Sequence, residues 1–204
     1  MKFKLHNRRY TGSKKKLSPW IKEIIKDNCN DNESFADIFA GTASITESNL
    51  DSFSNFIIND FLYSNNVIYD AFLNTEKYNK TLIEDLFKQQ VNLNSENIDH
   101  NYFSLNYGKK FFSQEDAKII GKIRENLKII ENQITKREYS ILLASLIYSV
   151  DKAANTVGHY DAYIKNKKII KKFNFNLIEP IQHSKSIKMY REDANSLVRR
   201  INAD

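Results

Sequence analysis

The sequence is poor in the residues that cross-link or punctuate a chain. Among its 204 residues there is one cysteine, Cys29, which rules out an internal disulfide and any cysteine-built metal site. The four histidines, His6, His100, His159 and His183, are scattered without ligand spacing, so no metal is expected. There are five glycines and only two prolines, Pro19 and Pro180, far apart. The longest apolar run, Tyr139 to Val150, is interrupted by Ser140, Ser145 and Ser149 and falls short of the ~18 residues that suggest a membrane span. The basic N-terminus has no apolar segment behind it and does not read as a signal peptide. No internal repeat or low-complexity tract is present. These absences point to a cytoplasmic protein without membrane segment or metal.

What is present is a hydrophobic fraction of 41% with 12% aromatic residues, enough for a real core, and a net charge of +6. A positive balance permits a polyanionic partner, and a basic, merely solvated surface produces the same sum. The position of the charges carries more than their total.

The stretch Ser34 to Ser44 followed by Phe56 to Asp60 carries the first structural signal. Phe35 to Phe39 is a short apolar run with aromatic and β-branched residues, expected as a buried strand. Gly41 supplies a tight turn, and Thr42 or Ser44 is a candidate cap for a helix towards Leu50. Phe56 to Ile58 is a second strand, and Asp60 stands just past its carboxyl end. An acid roughly twenty residues after a glycine turn, at the carboxyl end of a parallel strand, is placed to accept hydrogen bonds from ribose hydroxyls. A dinucleotide fingerprint needs three glycines for a pyrophosphate, and here there is one. A ribose-bearing ligand without phosphates at the turn, S-adenosylmethionine (AdoMet), fits that gap better than NAD or ATP. An ordinary βαβ unit with a chance acid is the plain alternative.

Before this stretch, Leu17 to Asn28 reads as a helix with Ser18 as N-cap and Pro19 in its first turn. After Asp60 the pattern turns helical: Tyr63 to Leu73, Glu76 to Val91, Ser113 to Glu131 with Ser113 and Asp116 as a capping box, and Lys136 to Asn155. A third strand follows at Ile187 to Tyr190, then a short helix at 195–201. The expected architecture is α/β: a partial Rossmann-like sheet from residues 1–60 and 186–204, with a large, mainly helical insertion over 61–185. Two parts of that insertion, 101–112 and 155–172, interleave lysines with aromatics and asparagines, as nucleic-acid binding requires. Phe111 and Phe112 are expected in the core. For Lys109, Lys110 and the 165–172 lysines, phosphate contact and a solvated face are both open.

Together these pieces resemble the N6-adenine DNA methyltransferases of the DNA adenine methylase type, the D12 class. Tyr10-Thr-Gly-Ser-Lys14 resembles the family's aromatic-x-Gly-Gly-Lys loop, and Asp37-Ile-Phe-Ala-Gly41-Thr-Ala43 its Phe-x-Gly-x-Gly turn, with Ala43 in place of the second glycine. Ile58-Asn-Asp60 resembles the acid after the second strand, and Tyr190-Arg-Glu-Asp193-Ala the lead into the catalytic strand. The resemblance implies a restriction-modification enzyme using AdoMet. Tyr10 and Lys14 would meet the cofactor's methionine end, with Asp37, Phe39, Ala40 and Gly41 forming the turn beneath it. Asp60 would take the ribose, and Asp193 would face an adenine amine. It implies duplex DNA as partner, contacted by Asn106, Tyr107, Lys109, Lys110, Asn155, His159, Tyr160, Lys165 and Lys168. The family's Asp-Pro-Pro-Tyr motif is absent, since Pro19 and Pro180 are the only prolines. The expectation is therefore an N-terminal portion without catalytic residues, whose sheet is completed by a C-terminal portion or by a second copy. The alternatives are a catalytically inactive DNA- or AdoMet-binding remnant and an RNA methyltransferase.

Overall fold

The computed structural model describes residues 3–9, 12–29, 34–156, 160, 163–165 and 171–201. It divides into two compact units, Phe3–Thr75 with Pro180–Asp204, and Glu76–Glu179.

The first unit contains a parallel three-stranded sheet in the order β1 (Ser34–Asp37), β2 (Asn55–Asn59), β3 (Ser186–Tyr190). Asp37 pairs with Ile58 and Asn59 with Tyr190, so the strands' carboxyl ends lie side by side. The central strand is the buried one: Phe56 and Ile58 share a face and are 1% and 0% exposed. Phe35, Phe53 and Phe56 form a ring cluster with centroids 5.1 to 6.2 Å apart. Helix α3 (Tyr63–Leu73) buries Val67, Ile68, Tyr69, Ala71, Phe72 and Leu73 and packs on β3. Each such large apolar side chain contributes about 1.5–3 kcal/mol on burial. The returning chain is pinned to the end of α3, where Ile181 N–H donates to the Phe72 carbonyl at 2.8 Å. His183 Nδ1 accepts from Lys185 N–H, so its Nε2 donates to the Leu73 carbonyl at 2.9 Å.

Helix α1 (Ser18–Asn28) begins one residue earlier than a Ser18 cap requires. Leu17 is the N-cap, and the Ser18 hydroxyl donates back to the Lys15 carbonyl at 2.8 Å. Helix α2 (Ser44–Ser48) is likewise capped by neither Thr42 nor Ser44. The turn ends on Ala43 in the left-handed region, with φ 52°, which makes it the N-cap without a side-chain bond.

The second unit is built on α4 (Lys80–Val91), α5 (Tyr102–Tyr107), α6 (Gln114–Ile130) and α7 (Lys136–Ala153). As its apolar composition requires, α7 is buried on most sides. Its Ser145 and Ser149 hydroxyls accept from Ile178 N–H and Asn176 N–H, both at 3.0 Å, docking the 173–178 segment along the helix. Ser113 caps α6 as expected, accepting from Asp116 N–H at 3.0 Å. Asp116 does not complete the box; its carboxylate accepts from Phe173 N–H at 3.1 Å instead. The full capping boxes are Asn101 with Ser104 on α5 and Thr135 with Glu138 on α7. Phe111 and Phe112 are core residues, 7% and 1% exposed.

Candidate functional site

At the carboxyl ends of β1 and β2 the structure brings Gly41 and Asp60 into direct contact. Gly41 N–H donates to Asp60 Oδ2 at 3.0 Å, and Leu62 N–H donates to Asp60 Oδ1 at 2.9 Å. Gly41 has φ 55°, a left-handed value that glycine adopts without strain. The turn is held from below, where the buried Tyr69 hydroxyl donates to the Gly41 carbonyl at 2.6 Å. The Asn66 amide donates to the Asp60 carbonyl at 2.8 Å, fixing the acid's backbone to the first turn of α3.

The two flanking strands are tied in by Asn59, which is 2% exposed. Its Nδ2 donates to the Ile38 and Glu192 carbonyls, each at 3.1 Å, and its Oδ1 accepts from Glu192 N–H at 3.1 Å. One side chain thus latches the turns after β1 and β3 beside Asp60. Lys14 Nζ donates to the Phe39 carbonyl at 2.9 Å, so the basic loop reaches the glycine turn. Asp37 accepts from the Thr46 hydroxyl at 2.9 Å. Burial raises its pKa above the usual aspartate range. The Thr46 bond and the Lys14 charge oppose the rise, and the Asp60 charge adds to it. Ala43, where the resemblance has glycine, is fully buried and carries the left-handed strain of about 1–2 kcal/mol.

Of the remaining expected residues, Ala40 is buried and donates its N–H to the Asn59 carbonyl at 3.0 Å. Phe39 presents its ring to solvent, 66% exposed, as does Phe61 at 74%. Asp193 is exposed and serves as N-cap of α8 (Ala194–Val198), accepting from Ser196 N–H at 2.9 Å. The Arg191 guanidinium sits 5.4 Å over the Tyr63 ring. Tyr10 lies outside the described residues.

In the second unit the two basic, aromatic segments come together. Asn155 N–H donates to the Phe111 carbonyl at 2.8 Å, and the Asn155 amide reaches the Lys110 and Ile164 carbonyls at 3.3 and 3.2 Å. Tyr160 packs on Phe111 and Tyr107 with centroids 5.3 and 6.3 Å apart, and Tyr163 packs on Phe111 at 5.6 Å. Lys109, Lys110 and Lys165 are exposed around this cluster. Lys109 holds a left-handed φ of 62° at the turn between α5 and α6. Asn106 is exposed, and its amide donates to the Tyr102 carbonyl at 2.7 Å. His159 and Lys168 lie outside the described residues.

Asn59, Tyr69, Asn66 and Thr46 were missed in the sequence. Asn59 had a readable signal, a polar residue at the inward end of an otherwise apolar strand. Tyr69 carries no local signal, because its partner Gly41 lies 28 residues away, and Asn66 and Thr46 look like any other polar residue of a helix.

Comparison with known proteins bears on the family. The family model for D12 class N6 adenine-specific DNA methyltransferase matches residues 10–204. The chain is 32% identical over 213 residues to Modification methylase LlaI of Lactococcus lactis subsp. lactis, covering 96% of this chain and 34% of that protein. It is 30% identical to Modification methylase StsI of Streptococcus sanguinis, with 96% and 32% covered. It is also 30% identical to Type II methyltransferase M.CviAII of Paramecium bursaria Chlorella virus 1, with 92% and 59% covered. The chain therefore spans about a third of the first two relatives' length and less than two thirds of the third's. With the family model covering nearly all of its length, this chain belongs to the D12 class N6 adenine-specific DNA methyltransferases.

Proposed function

We propose that these residues form the AdoMet-holding and DNA-recognising part of a restriction-modification adenine methyltransferase. The observation that carries the reading is the 3.0 Å bond between Gly41 N–H and Asp60 at the carboxyl ends of parallel strands. Each Asp60 oxygen accepts one backbone N–H, which leaves a further lone pair on each for the two ribose hydroxyls. The exposed Phe39 and Phe61 rings are available to stack on a purine. Lys14 and Tyr10 serve the amino-acid end, with the turn of Asp37, Phe39 and Ala40 beneath, and Asp193 faces the adenine amine of the cofactor. AdoMet, when bound, supplies a methyl group activated on a sulfonium.

The Glu76–Glu179 unit is the DNA-recognition region. Lys109, Lys110, Lys165 and Lys168 are assigned to phosphates, and Asn106, Tyr107, His159 and Tyr160 to the bases. Asn155 acts by joining the two segments. Chemistry on adenine N6 needs the base out of the stack and held at the methyl donor. The Asp-Pro-Pro-Tyr that holds it in the family is not among these 204 residues. That absence favours a binding module that does not turn over by itself.

The test is to expose the chain to labelled AdoMet and to duplex DNA, separately and together. Binding of both with no label transferred to DNA is the expected result. Failure to bind AdoMet would overturn the reading of the sheet unit, and salt-independent DNA binding would overturn that of the helical unit.

A further inference from the structure

Two buried, unpaired donors stand beside the first turn of α3. Arg8 Nη1 donates to Asn65 Oδ1 at 2.8 Å. Arg8 Nε and Asn65 Nδ2 are both buried without a hydrogen-bond partner in the protein, and Asn65 is 1% exposed. A buried donor left unpaired costs about 1–3 kcal/mol, so each calls for an acceptor. The guanidinium keeps its charge at any working pH. Its partner among the described residues is a neutral amide, and Glu47, the acid this segment does meet, is bonded to His6.

The position is informative. Asn65 stands one helical turn before Tyr69, and residues four apart share a helix face. Tyr69 reaches the Gly41 carbonyl, so Asn65 lies on that face about 6 Å nearer the start of the helix. Leu62, whose carbonyl accepts from Asn65 N–H at 3.1 Å, donates its own N–H to Asp60. The first turn of α3 carries no acidic residue of its own, and the Asp60 carboxylate meets the helix at the N-cap, Leu62.

We infer that Arg8 and Asn65 form the seat for the carboxylate at the amino-acid end of the nucleoside cofactor. The inference rests on the reading of Gly41 and Asp60 as the nucleoside grip. A carboxylate matches the forked donors of a guanidinium, and Asn65 Nδ2 supplies one more. Both orphan donors are satisfied by a single group of the right charge.

Calorimetric titration of the full chain with AdoMet and with decarboxylated AdoMet tests this. Wild type should prefer AdoMet by about 10- to 100-fold, the range for hydrogen bonds to a charged group. Arg8→Met should lose that preference while keeping its affinity for decarboxylated AdoMet, which also certifies the variant as folded. Arg8→Lys, with the charge but not the fork, should recover part of it. Asn65→Asp should weaken AdoMet more than the decarboxylated ligand. Unchanged AdoMet affinity in Arg8→Met, or an equal loss for both ligands, overturns the seat. Weakened duplex DNA binding with AdoMet affinity intact would assign the anion to a DNA phosphate and overturn it as well. If wild type binds neither nucleoside, the grip itself falls, and the seat falls with it.

Discussion

Replacing Gly121 by alanine should reverse the usual effect of that change. Gly121 lies in the interior of α6, where alanine is ordinarily favoured by about 1 kcal/mol. Here an added Cβ would fall 2.1 Å from Asn101 Oδ1, 2.4 Å from its Cγ and 2.6 Å from its Nδ2. The Asn101 side chain must leave. It then gives up the cap it makes to Ser104 N–H at 2.9 Å, costing about 1 kcal/mol, and its bond to the Lys118 carbonyl at 2.9 Å, costing about 1 more. Gly121→Ala should therefore destabilise by about 1 kcal/mol net in urea unfolding. In an Asn101→Ala background the obstruction is gone, and the same change should stabilise by about 1 kcal/mol, a coupling of about 2 kcal/mol across the cycle. An alanine at 121 that stabilises the otherwise unaltered chain would refute the packing of α5 on α6.

Three further expectations follow from the same geometry. Glu138 is partly penalised by burial, but the Asn79 and Thr135 N–H groups, each at 2.8 Å, hold its pKa below the usual range. Its stabilisation is present above about pH 4.5 and lost as pH falls through the lowered value, so Glu138→Gln should cost about 1–2 kcal/mol at neutral pH and converge with wild type in acid unfolding titrations. Asp37 has the opposite sign: its raised pKa means that folding stability is lost as pH rises through it, so Asp37→Asn should gain on wild type as the pH climbs above the ordinary value of 3.8 in melting curves. Lys109→Gly should leave stability equal or higher, because the left-handed φ of 62° suits glycine, while lowering the salt slope of DNA binding by about 1.

The strands and the long helices were legible because each carries its own periodic signal. Phe56 and Ile58 alternate on one buried face, and Tyr63–Leu73 is a helix over the expected residues. The caps were harder to read. Thr135-x-x-Glu138 is a capping-box pattern in the sequence, yet Ser113-x-x-Asp116 looks equally good and is only half formed. The difference is Phe173, whose N–H draws the Asp116 carboxylate from 57 residues away. Ser145 and Ser149 of α7 read as interruptions of an apolar run and are anchors for the 173–178 segment. At the candidate site, Gly41 and Asp60 could be paired by their spacing. The clamp of Asn59 on Glu192 spans 133 residues, and only the folded sheet brings the two together.

The most direct measurement is calorimetric titration of AdoMet, and of AdoMet lacking both ribose hydroxyls, into wild type and Asp60→Ala. A carboxylate that grips the ribose predicts tight binding of AdoMet by wild type alone. Either removing the hydroxyls or removing the Asp60 carboxylate should weaken binding by about 100-fold, and doing both should cost little more than either. Equal affinity of wild type and Asp60→Ala for AdoMet would contradict the account.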